Sequence, residues 1–245
     1  MHQYLISRVQ RSAWISNPIM KNGMIVTIDG PSAAGKSSVA KLLAGKLGFL
    51  YLDSGALYRA IGWKVMEEGL GTDDINGIQG ICEKINIDFK RSGNEFRITV
   101  DQQDITEKIR EPKVSKAASE ISALPIVRKS LLKLQKELGK KGDVVIEGRD
   151  IGTVVFPEAD IKFYIDADIR IRGERRWKEL RSRGIDVDLE ATIKEIEERD
   201  RKDLTREIAP LAASPDAMYI DTTKMSLAEV ADSMFDEINN RIKYP

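Results

Sequence analysis

The chain has 245 residues, 39 basic and 39 acidic side chains, one cysteine (Cys82) and one histidine (His2). Balanced charge leaves no overall field to hold nucleic acid or an anionic membrane. One cysteine excludes an internal disulfide and suits a reducing, cytoplasmic setting, and a single terminal histidine removes histidine acid–base catalysis and His-based metal sites.

No apolar run approaches the roughly 18 residues of a membrane span, and the length suits one α/β core carrying subdomains. In chain order, residues 1–23 hold several cations, no acid and no continuous apolar stretch. They read as a disordered extension outside the fold, with Met24 a candidate start and an organelle transit peptide the alternative. The run Ile25-Val26-Thr27-Ile28 before Asp29 predicts a buried parallel strand. Val39, Leu42, Leu43 and Leu47 then fall at helical spacing over residues 37–46, with Gly48 as the stop. Phe49 to Leu52 predicts a second strand, and "DSGALYRAIGWKVMEEG" a second helix. Residues 85–105 alternate apolar and polar about a Ser-Gly-Asn turn, which predicts an inserted antiparallel hairpin. Val144 to Ile146, "DIKFYIDAD" and "AMYIDTT" supply three more strands, and a closing helix starts near Leu227. Short buried strands alternating with helices predict a doubly wound parallel sheet of five strands. The charge-dense stretch 170–207 reads as solvated helices.

The segment Gly30-Pro31-Ser32-Ala33-Ala34-Gly35-Lys36-Ser37, between strand and helix and followed by Ser38, has the P-loop spacing. Its glycines let successive amides turn toward phosphate oxygens, and the helix start adds its dipole. Lys36 is placed to reach the β- and γ-phosphates and Ser37 to ligate Mg²⁺. A nucleoside triphosphate with Mg²⁺ is therefore expected. Transfer to a small acceptor, hydrolysis coupled to motion and GTP switching all remain open. The absence of a guanine-reading Asn-Lys-x-Asp motif weakens the last, and the modest length favours the first.

Further residues suit an anionic acceptor. Ser54 is a candidate helix cap with Arg59 farther along the same helix, and Arg149-Asp150 follow a strand at the sheet's carboxyl edge, where open α/β sheets bind ligands. Arg199, Asp203 and Arg206 stand at i, i+4 and i+7, one helical stripe. Arg172, Arg175 and Arg176 form a second stripe, and the Gly-containing turn "RSRGIDVD" between them suggests a mobile lid. A phosphate acceptor, dianionic near neutrality with a second pKa of about 6, needs no base; a hydroxyl acceptor would call on Asp53 or Asp150.

The stretches "TIDGPSAAGKSSVAKLLAGKLGFLYLDSGALYRA", "EGRDIGTVVFPEADIKFYIDA" and "IEERDRKDLTREIAPL" together resemble the bacterial-type cytidylate (CMP/dCMP) kinases. The resemblance implies the nucleoside monophosphate kinase fold: a P-loop core of residues 24–53, 143–170 and 208–245, an acceptor-binding domain of 54–142 with the β insertion, and a lid of 171–207. It implies ATP as donor, CMP or dCMP as acceptor, and a monomer. By the same resemblance, Ser54, Arg59, Arg149 and Arg206 hold the CMP phosphate, while Ser119, Arg128 and Asp150 read cytosine. Arg199 and Asp203 contact the sugar, and Arg175 and Arg176 the donor phosphates. Glu147 stands where many members carry Asp and is expected near Mg²⁺ through water. Another small-molecule P-loop kinase and a non-catalytic P-loop module are the rival readings.

Overall fold

The computed structural model describes residues 23–92, 95–140 and 142–243. The N-terminal extension, apart from Gly23, lies outside the described residues.

The centre of the core is β1 (Ile25–Asp29), whose Val26, Thr27 and Ile28 have no exposed surface, as a strand covered on both faces requires. Helix α1 (Lys36–Leu47) turns Val39, Ala40, Leu43 and Ala44 inward and ends at Gly48 in left-handed conformation. With β2 (Leu50–Asp53), β6 (Val144–Gly148), β7 (Ile161–Asp166) and β8 (Met218–Asp221), β1 forms one parallel sheet of order β2-β6-β1-β7-β8. β6 runs two residues past its apolar part, which carries Glu147 to the sheet edge. Helix α1 and α8 (Leu227–Lys243) cover one face around Phe163, Val230, Met234 and Ile238.

The polypeptide between β2 and β6 builds a second apolar cluster. Helices α2 (Ser54–Glu67), α3 (Ile75–Lys84), α4 (Pro112–Ile121) and α5 (Pro125–Gly139) bury Leu57, Ile61, Ile78, Ile121 and Leu131 together. Strands β3 (Ile87–Ser92) and β4 (Glu95–Val100) form the expected antiparallel hairpin. A short third strand, β5 (Gln103–Asp104), folds back on β4; the period-two pattern hides it because the turn at Asp101 and Gln102, both at positive φ, has no glycine. Residues after "GRD" form one π-helical turn, Ile151–Val155, a segment to which the sequence pattern assigns no element. Its Ile151 and Val155 pack under Leu52, Val144 and Ile146.

Helices α6 (Ile169–Ser182) and α7 (Leu189–Thr205) carry the charge-dense stretch and pack against each other. They meet at Gly173, where a Cβ would lie 2.3 Å from Ile193 Cγ1, so only glycine fits. Their faces are not uniformly solvated: Arg172 is buried, paired with Asp200 of α7. It leaves the Arg172-Arg175-Arg176 stripe because its guanidinium turns under the helix toward the core. Arg206 likewise leaves the Arg199-Asp203-Arg206 stripe. It is the C-cap of α7 with extended backbone (φ −65°, ψ 141°), so the helical spacing stops at Thr205. Among the described residues no helix is long and apolar enough to cross a membrane.

Candidate active site

All five parallel strands deliver their carboxyl ends to one edge, and a cleft of about 750 Å³ opens above it. The phosphate loop forms its floor. Gly30 leaves β1 at φ +150°, and a Cβ there would lie 2.0 Å from the Ile165 carbonyl oxygen. Ala33 at φ +58° and Gly35 at φ +97° complete the curl into α1. Lys36 Nζ folds back to donate to the Pro31 carbonyl at 2.5 Å and is 5% exposed. Burial lowers it to about 7, with Arg149 adding repulsion that Glu147 only partly offsets. Ser37 Oγ donates to Glu147 Oε1 at 2.5 Å, and the Tyr51 hydroxyl donates to the same oxygen at 3.1 Å. Burial, then the facing Asp53 carboxylate, raises Glu147 above the usual range.

The acceptor side is built from paired side chains. Asp53, not Ser54, caps α2: it accepts from the Ala56 amide at 2.9 Å while its other oxygen takes Arg59 at 2.7 Å. Ser54 is the first helical residue and buried, so its backbone is already inside the helix and the capping position falls one residue earlier. Although burial works against it, the Arg59 guanidinium holds Asp53 below the ordinary carboxylate range. Arg128, from α5, is ion-paired with Asp150, donates to the Ser122 carbonyl at 3.2 Å and lies 5.8 Å from the Tyr58 ring centre. Arg206 reaches Asp150 at 3.3 Å and Asp203 at 3.4 Å, and donates from Nε to the Ala209 carbonyl at 2.6 Å. Arg149 and Asp150, adjacent in sequence, face different partners: Arg149 Nε donates to Asp203 Oδ2 at 2.9 Å and Nη2 to Ser32 Oγ at 3.0 Å. Arg199 lines the cleft with a buried Nε that has no hydrogen-bond partner among the described residues. Burial, reinforced by Arg149, lowers its guanidinium to about 10.

Thus Ser54, Arg59, Ser119, Arg128, Arg149, Asp150, Arg199, Asp203 and Arg206 line one cleft with Lys36, Ser37, Ser38 and Glu147. Arg175 and Arg176 line it too, but their guanidiniums have protein partners. Arg175 donates to Thr222 O at 2.7 Å and Ala34 O at 3.3 Å, and Arg176 pairs with Glu179 at 2.9 Å.

Sequence reasoning missed several contributors. Thr222, just past β8, donates its hydroxyl to Ala34 O at 3.3 Å, and nothing in its sequence context marks it. Asp29 accepts from the Ile151 and Gly152 amides at 2.9 and 2.7 Å, one per carboxylate oxygen, which fixes the π-helical turn immediately after Asp150. Burial raises Asp29 to about 6 against those two bonds. The Asp53 cap could have been found, since Asp three residues before Ala56 is a regular N-cap spacing.

A phosphate loop on a parallel sheet, facing an arginine-lined cleft at the switch point of the strand order, defines a P-loop phosphotransferase. The family model for cytidylate kinase matches residues 26–240. Cytidylate kinase of Geobacter sp. (strain M21) is 42% identical over 224 residues, covering 91% of this chain and 96% of that protein. Cytidylate kinase of Carboxydothermus hydrogenoformans is 44% identical over 218 residues, covering 89% and 98%. In fold alone, an uncharacterised protein from Eubacterium ventriosum aligns with TM-score 0.50 and 11% identity, over 89% of this chain and 99% of that one. The chain belongs to the cytidylate kinase family.

Proposed function

We propose that the protein transfers the γ-phosphoryl group of ATP to CMP or dCMP, giving ADP and CDP or dCDP. The observation that carries this reading is the Arg128–Asp150 pair, buried in the same cleft as the phosphate loop and the arginine cluster. Cytosine presents an exocyclic amino donor beside ring and carbonyl acceptors. Asp150 takes the donor with Ser119, and Arg128 satisfies the acceptors. Uracil puts a carbonyl opposite Asp150, leaving an unpaired buried contact that costs about 1–3 kcal/mol.

The acceptor phosphate lies between Ser54, Arg59, Arg149 and Arg206, with Arg199 and Asp203 on the sugar. Its oxygen, already anionic, forms the new bond to the γ-phosphorus as the β–γ bridging bond breaks and the electron pair leaves on ADP. The protein therefore supplies alignment and positive charge rather than a base. The amides of residues 30–38 cradle the donor, Lys36 follows the transferring group, and Arg175 and Arg176 exchange their protein partners for donor phosphate oxygens. Magnesium fits the donor set: Ser37 Oγ is a hard oxygen that would ligate it directly, and the Glu147 carboxylate in contact with that hydroxyl would hold it through water, as Mg²⁺ typically keeps several waters beside protein and phosphate oxygens. A magnesium ion held there would supply charge neutralisation for the transferring phosphoryl group. The remaining division follows the resemblance: a core of 24–53, 143–170 and 208–245, an acceptor domain of 54–142, a lid of 171–207, and a cytoplasmic monomer.

A coupled ADP-release assay across CMP, dCMP, UMP, AMP and shikimate tests the reading. CMP and dCMP are expected to give the highest kcat/KM. No turnover with CMP overturns it.

A further inference from the structure

Ser32, the third residue of the phosphate loop, is gripped at all three of its polar groups. Its amide donates to Asp200 Oδ1 at 2.8 Å, its carbonyl accepts from Arg172 Nη1 at 3.0 Å, and its hydroxyl accepts from Arg149 Nη2 at 3.0 Å. Asp200 and Arg172 are themselves an ion pair through the second Asp200 oxygen, and Arg172 Nε donates to the Ala167 carbonyl at 2.9 Å. Ser32, Arg172 and Asp200 are each 8% exposed or less. A buried, saturated network of charged groups holds its geometry tightly, because releasing one member strands another.

The position of Asp200 gives this network a consequence. Its neighbour Arg199 and, one turn on, Asp203 face the cleft, and Asp203 meets the same Arg149 that holds the Ser32 hydroxyl. One stretch of α7 therefore carries both the sugar-side contacts and a direct hydrogen bond to the donor loop. We infer that Asp200 and Arg172 are positioning residues that couple the two substrates. A shift of Arg199 and Asp203 on binding an acceptor is carried along the helix to Asp200, and through its hydrogen bond to Ser32 to the loop that receives the triphosphate. Coupling of this kind is reciprocal: each ligand raises the affinity for the other by one common factor.

The inference rests on the proposed acceptor, so the test measures binding rather than turnover. Dissociation constants for CMP are measured with and without saturating Mg²⁺ and β,γ-methylene ATP, and those for the analogue with and without CMP. The unmodified protein is expected to show about fivefold or greater mutual enhancement. In Asp200→Asn that factor should fall toward one while the affinity for CMP alone changes by less than about twofold, a split that general loss of structure would not produce. Arg172→Lys keeps the charge but cannot reach Ser32, Asp200 and Ala167 together; it should show the same loss of coupling, and it carries the test should Asp200→Asn fail to fold. Unchanged mutual enhancement in the variants, or none in the unmodified protein, overturns the inference. Failure of the unmodified protein to bind CMP at all overturns the proposed function instead.

Discussion

At the donor end of the cleft, one unbroken stretch, residues 30–37, curls so that its backbone faces the ligand, with a single buried lysine among the amides. At the acceptor end, Arg59, Arg128, Arg149 and Arg206 arrive from separate parts of the chain, each already bound to a carboxylate. The first design depends chiefly on backbone conformation. The second depends on side-chain identity at distant positions, and its charges are preorganised by Asp53, Asp150 and Asp203 before any ligand enters. On the proposed reading, the phosphate loop holds the donor through its backbone, and selectivity for the acceptor base is built where the paired arginines meet.

Four perturbations sharpen or break this contrast. Removing the buried lysine of the donor loop should be the most damaging: Lys36→Met is expected to lower kcat on the order of 10³-fold, measured in single-turnover quench experiments with both substrates saturating. Retention of most activity would mean that the amides suffice alone. Next, Arg149→Lys keeps the charge but loses the fork that spans Asp203 and Ser32. It should cut kcat/KM for CMP on the order of 10²-fold, and a mild effect would make the acceptor end a matter of charge rather than geometry. Asp150→Ala should lower the preference for CMP over UMP by roughly tenfold in competition assays, leaving donor affinity unchanged; a constant ratio removes Asp150 from base reading.

The smallest effect is a pH dependence. Since Lys36 sits near 7 in the free protein, it loses its charge as pH rises through neutrality, and a bound triphosphate restores it. ATP affinity should fall several-fold (~3–10) between about pH 6.5 and 8, with proton uptake on binding detected by calorimetry in buffers of different ionisation enthalpy. For folding the sign is opposite to that of a paired lysine. The unfolded chain keeps this proton up to about 10.5. The group therefore opposes the folded state in full below about 7 and progressively less as pH rises toward 10.5.

The same contrast explains how much of the molecule was legible in its sequence. The five strands, the hairpin and the donor loop follow from contiguous patterns, with buried runs, period-two alternation and glycine spacing each acting over a few residues. The residues that the resemblance assigns to the acceptor line one cleft, yet their partners could not be read. No local pattern says that Arg149 meets Asp203 and Ser32, or that Arg172 turns inward to Asp200, because those pairings form only when α6, α7 and the sheet edge come together. Caps and turns gave the remaining errors: Asp53 displaces Ser54 at the start of α2, and α7 releases Arg206 just beyond its last turn.

The contact at Gly173 bears on how the arginines of α6 and α7 can travel. With no side chain between the two helices at that point, Ile193 sits against bare backbone, and sliding one helix along the other would drive its branched chain into the Gly173 main chain. The pair is therefore a single lever with no joint at its own turn. A swing of the pair would pivot at the outer ends, near Asp168 and Arg206, the residues that cap the two helices there. On the proposed reading, Arg175 and Arg176 on one arm and Arg199 and Asp203 on the other would advance or retreat in step over the two nucleotides.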